Sequence, residues 1–205
     1  MQNKASGVVT AFDVLKHLLK VNPEIYSLRF VVYEESPNWR DLPEATKERN
    51  PRLALKQDLR PRLLKDFERQ KILHGSLSSF QRGLYEEQLV GITSIVTVNG
   101  NRTAHIPMMD FACPTSPKNL ATLEALLKES GQCSGFILQS GRSYHFYGTQ
   151  LLLETAWRVF MGRCLLMEGF TDYRYVGHQL VEGRCVLRIS TSHLKPRLPL
   201  VVRQF

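Results

Sequence analysis

One stretch restricts the fold of this chain more than any other. A β-branched run, Ile92 to Val98 (Ile-Thr-Ser-Ile-Val-Thr-Val), meets the dipeptide Asn99-Gly100, and a second run follows from Arg102 to Phe111. Asn-Gly accepts the positive φ values of a tight hairpin turn, so the two runs should pair antiparallel. A second hairpin is written a little further on. The apolar stretch Ser134 to Gln139 leads into Ser140-Gly141-Arg142, and the chain leaves through Ser143-Tyr144-His145-Phe146-Tyr147. Period-two alternation sends Ser143 and His145 to one face and Tyr144 and Phe146 to the other, with Arg142 at the rim. A hydroxyl, an imidazole and a guanidinium so placed suit an anionic ligand.

The other elements alternate loosely around these hairpins. Ala11, Val14, Leu15, Leu18 and Leu19 repeat at helical spacing up to a stop at Asn22-Pro23, and Ser27 to Tyr33 has strand composition. From Glu34 to Pro61 the chain is charged and punctuated by proline, which predicts a surface loop with short helical pieces. Pro61 to His74 then places Leu63, Leu64, Phe67, Ile72 and Leu73 near one face of a helix that closes at Gly75. Ser116-Pro117 opens a helix with Leu120, Leu123, Leu126 and Leu127 inward. A third helix is expected over 149–166, with Leu152, Leu153, Ala156, Phe160 and Cys164 inside, and a final strand over Arg184 to Ser190. Hairpins with interleaved helices give an α+β fold with a mainly antiparallel sheet. At 205 residues and 43% apolar content the chain can bury one sizeable core. Residues 1–85 read as an N-terminal accessory α/β layer on a core of residues 86–205.

Charge and cysteine use bound the partners. Twenty-seven Lys plus Arg against 19 Asp plus Glu give a net charge of +8 and point to anionic partners, nucleic acid first. Lys47, Arg49, Arg52, Lys56, Arg60, Arg62, Lys65, Arg69 and Lys71 crowd into one basic stretch that could follow the phosphates of a strand. Cys113, Cys133, Cys164 and Cys185 form no Cys-x-x-Cys pair, and the start is not signal-like, so reduced, mostly buried thiols in a cytoplasmic protein are expected. No apolar run is long enough to span a membrane.

The string Ser140-Gly141-Arg142-Ser143-Tyr144-His145-Phe146-Tyr147 resembles the second motif of the archaeo-eukaryotic primase superfamily, the primase-polymerases, in which a His after a Ser-Gly-Arg turn reaches the phosphates of the incoming nucleotide. Ile106-Pro107-Met108-Met109-Asp110-Phe111-Ala112 is similar to the setting of the family's first motif, an Asp-x-Asp pair at a strand end, with Ala112 where the second carboxylate would stand. Phe170-Thr171-Asp172 resembles the third motif, and Leu187-Arg188-Ile189-Ser190 with Lys195 resembles the strand and lysine that follow it.

The resemblance covers roughly residues 90 to 200 and implies an RRM-like antiparallel sheet. It also implies a function: metal-assisted nucleotidyl transfer that synthesises or extends a primer on a DNA or RNA template, within a larger replication or repair assembly. Asp110 and Asp172 would hold Mg²⁺ or Mn²⁺, and Asp110, Asp172 and His145 would be the catalytic set. Ser140, Arg142, Ser143, His145, Arg188 and Lys195 would bind the nucleoside triphosphate. With a carboxylate missing, the alternative is a catalytically degenerate accessory module that binds nucleotide or single-stranded nucleic acid.

Overall fold

The computed structural model describes residues 9–35, 59–85, 88–193 and 195–205. Six helices and nine strands are found among them: α1 (Ala11–Val21), β1 (Ile25–Glu35), β2 (Leu59–Glu68), α2 (Arg69–His74), α3 (Leu77–Gln81), β3 (Gln88–Val98), β4 (Arg102–His105), β5 (Met108–Asp110), α4 (Pro117–Glu129), β6 (Gly135–Gln139), β7 (Tyr144–Gly148), α5 (Glu154–Leu165), α6 (Tyr173–Glu182), β8 (Val186–Arg188) and β9 (Leu200–Gln204). The fold is α+β with two antiparallel sheets. The first runs β2-β1-β3-β4, and β8 follows β4 along the same edge of β3; the second runs β5-β7-β6-β9. Strands of the first 85 residues thus hydrogen-bond into the same sheet as β3.

Both hairpins form, with differences of detail. In the first, Val98 faces Arg102 across a three-residue turn, and the positive φ values fall at Gly100 and Asn101 rather than at Asn99 and Gly100. The expected return strand from Arg102 to Phe111 is cut in two. Ile106 N–H still donates to the Ser94 carbonyl of the first sheet, but Pro107 has no N–H to give, and its carbonyl accepts from Gly148 in the second. The chain therefore changes sheets at Pro107 and delivers Asp110 to the edge of a different sheet.

A larger correction concerns Pro61 to His74, which is helical only from Arg69 onward. Leu59–Glu68 is a strand that pairs with β1 from Ser27 to Glu35. The helical spacing of its leucines loses to cross-strand contacts: Phe67 meets Phe30 edge-on at 5.2 Å, and Asp66 receives both Arg29 Nε and Nη2 at 2.7 and 3.0 Å. Pro61 is tolerated because β2 is an edge strand and the register shifts beside it, between Val32 and Tyr33. Of the basic stretch, Lys47, Arg49, Arg52 and Lys56 lie outside the described residues.

Helices cover these sheets as their sequences dictate. Thr10 and Asp13 form a reciprocal capping box at the start of α1, whose buried face is Ala11, Phe12, Val14, Leu15, Leu18 and Leu19. Ser116 caps α4, with Pro117 at its first position. The helix expected over 149–166 begins only at Glu154. Its inward face is Trp157, Phe160, Met161 and Cys164, while Leu153 and Ala156 are exposed. Sequence pattern missed α6 and β9. One contiguous core runs from α1 through both sheets to Ile189, and Cys113, Cys164 and Cys185 are buried free thiols.

Candidate functional site

The site is built on two adjacent short strands. The β6–β7 hairpin turns through Gly141, at φ +124°, and is closed by the Ser140 N–H donating to the Ser143 carbonyl at 3.0 Å. It is pinned from one side by Tyr144, which is buried; its phenol accepts from the Ser116 N–H and donates to the Ser116 carbonyl at the start of α4. On β7 the next residue, His145, sits directly opposite Asp110 of β5. Paired residues share a face, so imidazole and carboxylate meet, with His145 Nε2 3.6 Å from Asp110 Oδ1. The His145 side chain is 7% exposed and that of Asp110 31%, so the carboxylate is the reachable member.

The other candidates are brought in by neighbouring segments. Phe111 and Thr171 form an isolated antiparallel bridge, and the Ala112 N–H donates to the Phe170 carbonyl. This carries the backbone of Asp172 next to that of Asp110. The Asp172 side chain caps α6: its Oδ1 accepts from the N–H groups of Arg174 and Tyr175. Arg188 reaches across from the first sheet and donates to three carbonyls, those of Ser140, Ser190 and Arg197. Lys195 stands in a turn closed by reciprocal backbone bonds with Ser192. Arg142 is exposed at the hairpin apex, and Ser140 and Ser143 are half-buried beside it.

The electrostatics identify what surrounds the imidazole. Burial, then the positive charges of Arg188 and Lys195, hold His145 down to about 3 against an ordinary 6.5, despite the nearby Asp110. Near neutral pH His145 is therefore an uncharged hydrogen-bonding group in a cationic surround. Between about 3 and 6.5 the unfolded chain binds a proton that the folded chain refuses, so this stability is complete above 6.5 and is lost as the pH falls. His145→Gln should flatten that limb. Urea midpoints at about pH 7.5 and about pH 5 check it, and equal losses in parent and variant would sink the assignment.

Sequence reasoning missed Tyr147 as a neighbour of the site. It lies two residues from His145, hence on the same strand face, and its phenol is buried without a hydrogen-bond partner among the described residues, as are His145 Nδ1 and Thr171 Oγ1. Burial, Tyr33 and Asp110 raise its pKa while Arg188 opposes. A second constellation, Ser94, His105 and Glu154, has the look of a nucleophile triad. It is a brace instead. Ser94 is wholly buried, and its oxygen accepts from the Cys185 N–H at 2.9 Å. Its hydroxyl then donates to His105 Nδ1, which leaves Nε2–H for Glu154.

Metal ligation is restricted. Among the described residues no group of three or more His, Cys, Asp or Glu gathers that could hold an ion. One half-exposed carboxylate with a second beside it in the backbone suits a hard cation that arrives with a triphosphate, keeping waters and phosphate oxygens as its other ligands.

The archaeo-eukaryotic primase 1D-like (AEP-like) family model matches residues 72–199, and the chain belongs to that family. The match takes in every candidate site residue and begins upstream of residue 90, in α2. No curated protein and no solved structure matches the chain. No helix among the described residues is long and apolar enough to cross a membrane.

Proposed function

We propose that this primase-like protein is a nucleotidyltransferase that binds a nucleoside triphosphate and a DNA or RNA template and makes or extends a primer. The observation that carries the reading is the pairing of Asp110 with His145 on adjacent strands under Arg188 and Lys195, inside the family-matched region.

The reaction joins a terminal hydroxyl oxygen to the α-phosphorus and breaks the bond to the bridging oxygen, releasing pyrophosphate. Asp110, with Asp172 beside it, would hold Mg²⁺ or Mn²⁺ delivered with the triphosphate, and that ion supplies charge neutralisation and a lower pKa for the attacking hydroxyl. The chain's own part is alignment and charge. Lys195 and Arg142 meet the phosphates as cations, His145 offers a neutral N–H, and Ser140 and Ser143 offer hydroxyls. Exposed Lys65 and Lys71, on β2 and α2, line a route for the template backbone. A cytoplasmic replication or repair assembly is the setting this activity fits.

The test is incorporation of labelled nucleotide on single-stranded and primed templates with Mg²⁺ or Mn²⁺, read on a gel, in the parent and in His145→Ala. Incorporation that the variant loses supports the reading. A parent that binds triphosphate through His145 but incorporates none would reassign the protein as a binding module.

A further inference from the structure

Arg188 invites the reading of a phosphate contact, yet three of its guanidinium's five N–H groups go to backbone carbonyls. Nη1 donates to the carbonyls of Ser190 at 2.6 Å and Arg197 at 2.7 Å, and Nη2 to that of Ser140 at 2.8 Å; the residue is 7% exposed. Its backbone is fixed in the first sheet, where β8 pairs it with Gly91 of β3. The acceptors belong to two other segments. Ser140 is the near end of the β6–β7 turn in the second sheet, and Ser190 and Arg197 flank the segment that carries Lys195.

We propose that Arg188 is a positioning residue, a three-carbonyl clamp that fixes the Ser140–Ser143 turn against the 190–197 segment and so sets the spacing between the His145 side and the Lys195 side of the anion site. The inference rests on the proposed triphosphate binding for its functional half. Its structural half stands on the three bonds alone. The geometry also says why the residue is arginine: a planar fork can serve carbonyls from separate directions at once, whereas a lysine ammonium on its flexible stem is a single point charge. The greater part of the guanidinium's donor fork is thus turned to backbone carbonyls within the protein.

Charge and geometry are separable with Arg188→Lys, which keeps the first and loses the second, set beside Arg188→Gln, which loses both. Hydrogen exchange is followed in the full-length chain over 139–144, 190–198 and, as reference, 91–97; affinity is measured for a nucleoside triphosphate with Mg²⁺. The clamp predicts that exchange over 139–144 and 190–198 rises about tenfold in both variants relative to 91–97, and that affinity falls about tenfold in Arg188→Lys, nearly as far as in Arg188→Gln. Affinity retained within about twofold in Arg188→Lys but lost in Arg188→Gln would mean direct charge contact and overturn the proposal. Should both variants fail to fold, the parent still decides: if its Ser140, Ser192 and Lys195 amides, which are hydrogen-bonded in the turn and the segment, show no protection beyond that of an unfolded peptide, no clamp holds them. A parent that binds no triphosphate would defeat the proposed function, while the exchange result would still stand for or against the clamp.

Discussion

Asp110→Asn should lower nucleotide incorporation by roughly 10²–10³-fold while leaving the fold in place. The substitution keeps shape and removes one charge. Asp110 ends an edge strand with its side chain about one-third exposed, and its backbone pairing with His145 does not depend on the carboxylate. The carboxylate is part-exposed, so losing its charge costs the fold less than breaking a fully buried pair would. What goes is the accessible anion near Arg188 and Lys195, the group proposed to share a cation with a triphosphate. The expected pattern is a collapse of turnover at saturating nucleotide, with the thermal midpoint nearly unmoved. Primer extension on a gel and a melting curve, run on the same preparation, check it. Retained activity in Asp110→Asn together with loss in Asp172→Asn would move the essential acid to the N-terminal cap of α6.

The chain's local grammar made much of this readable. Asn99-Gly100 and Ser140-Gly141-Arg142 announced two hairpins because turns with positive φ leave few residue choices, and His145 was placed on a face because strand alternation is rigid. Ser116-Pro117 and Thr10 with Asp13 mark helix starts by chemistry that needs no tertiary context. The failures share a different cause. Leu59–Glu68 carries a helix-like spacing, and only the presence of β1, with Phe30 and Arg29 waiting across the gap, makes it a strand. The change of sheet at Pro107 depends on Gly148 offering an N–H from a strand some forty residues later, which no window of sequence displays. Arg188 was legible as an important cation, but its three carbonyl partners come from segments that meet only in the folded chain. In the site, Tyr147 was open to recognition: counting two from His145 finds it.

Gly135→Ala is the stability change expected to cost most for one added methyl. Gly135 is buried at the start of β6, opposite Gly148 in the hairpin register. A Cβ there would fall into the edge of the Phe146 ring and 2.7 Å from the Tyr147 carbonyl oxygen. The ring cannot swing clear, because Phe146 is fully buried and packed near Phe160 and Phe205; the carbonyl belongs to the paired strand itself. Either β6 and β7 part or the ring leaves its rotamer, and overpacking of this kind costs ~1–3 kcal/mol. Gly162→Ala is the matched control. That glycine lies inside α5 with open space where its Cβ would go, so the same methyl should add ~0.4–1 kcal/mol through helix propensity and a stiffer unfolded chain. Urea midpoints at constant slope should therefore move in opposite directions for the two variants. Because β7 carries His145 on one face and Phe146 on the other, Gly135→Ala should also weaken triphosphate binding, an effect Gly162→Ala lacks. Equal midpoints for the two variants would mean that the hairpin breathes enough to absorb a methyl group, and that His145 is held by its turn and by Arg188 rather than by the packing beneath it.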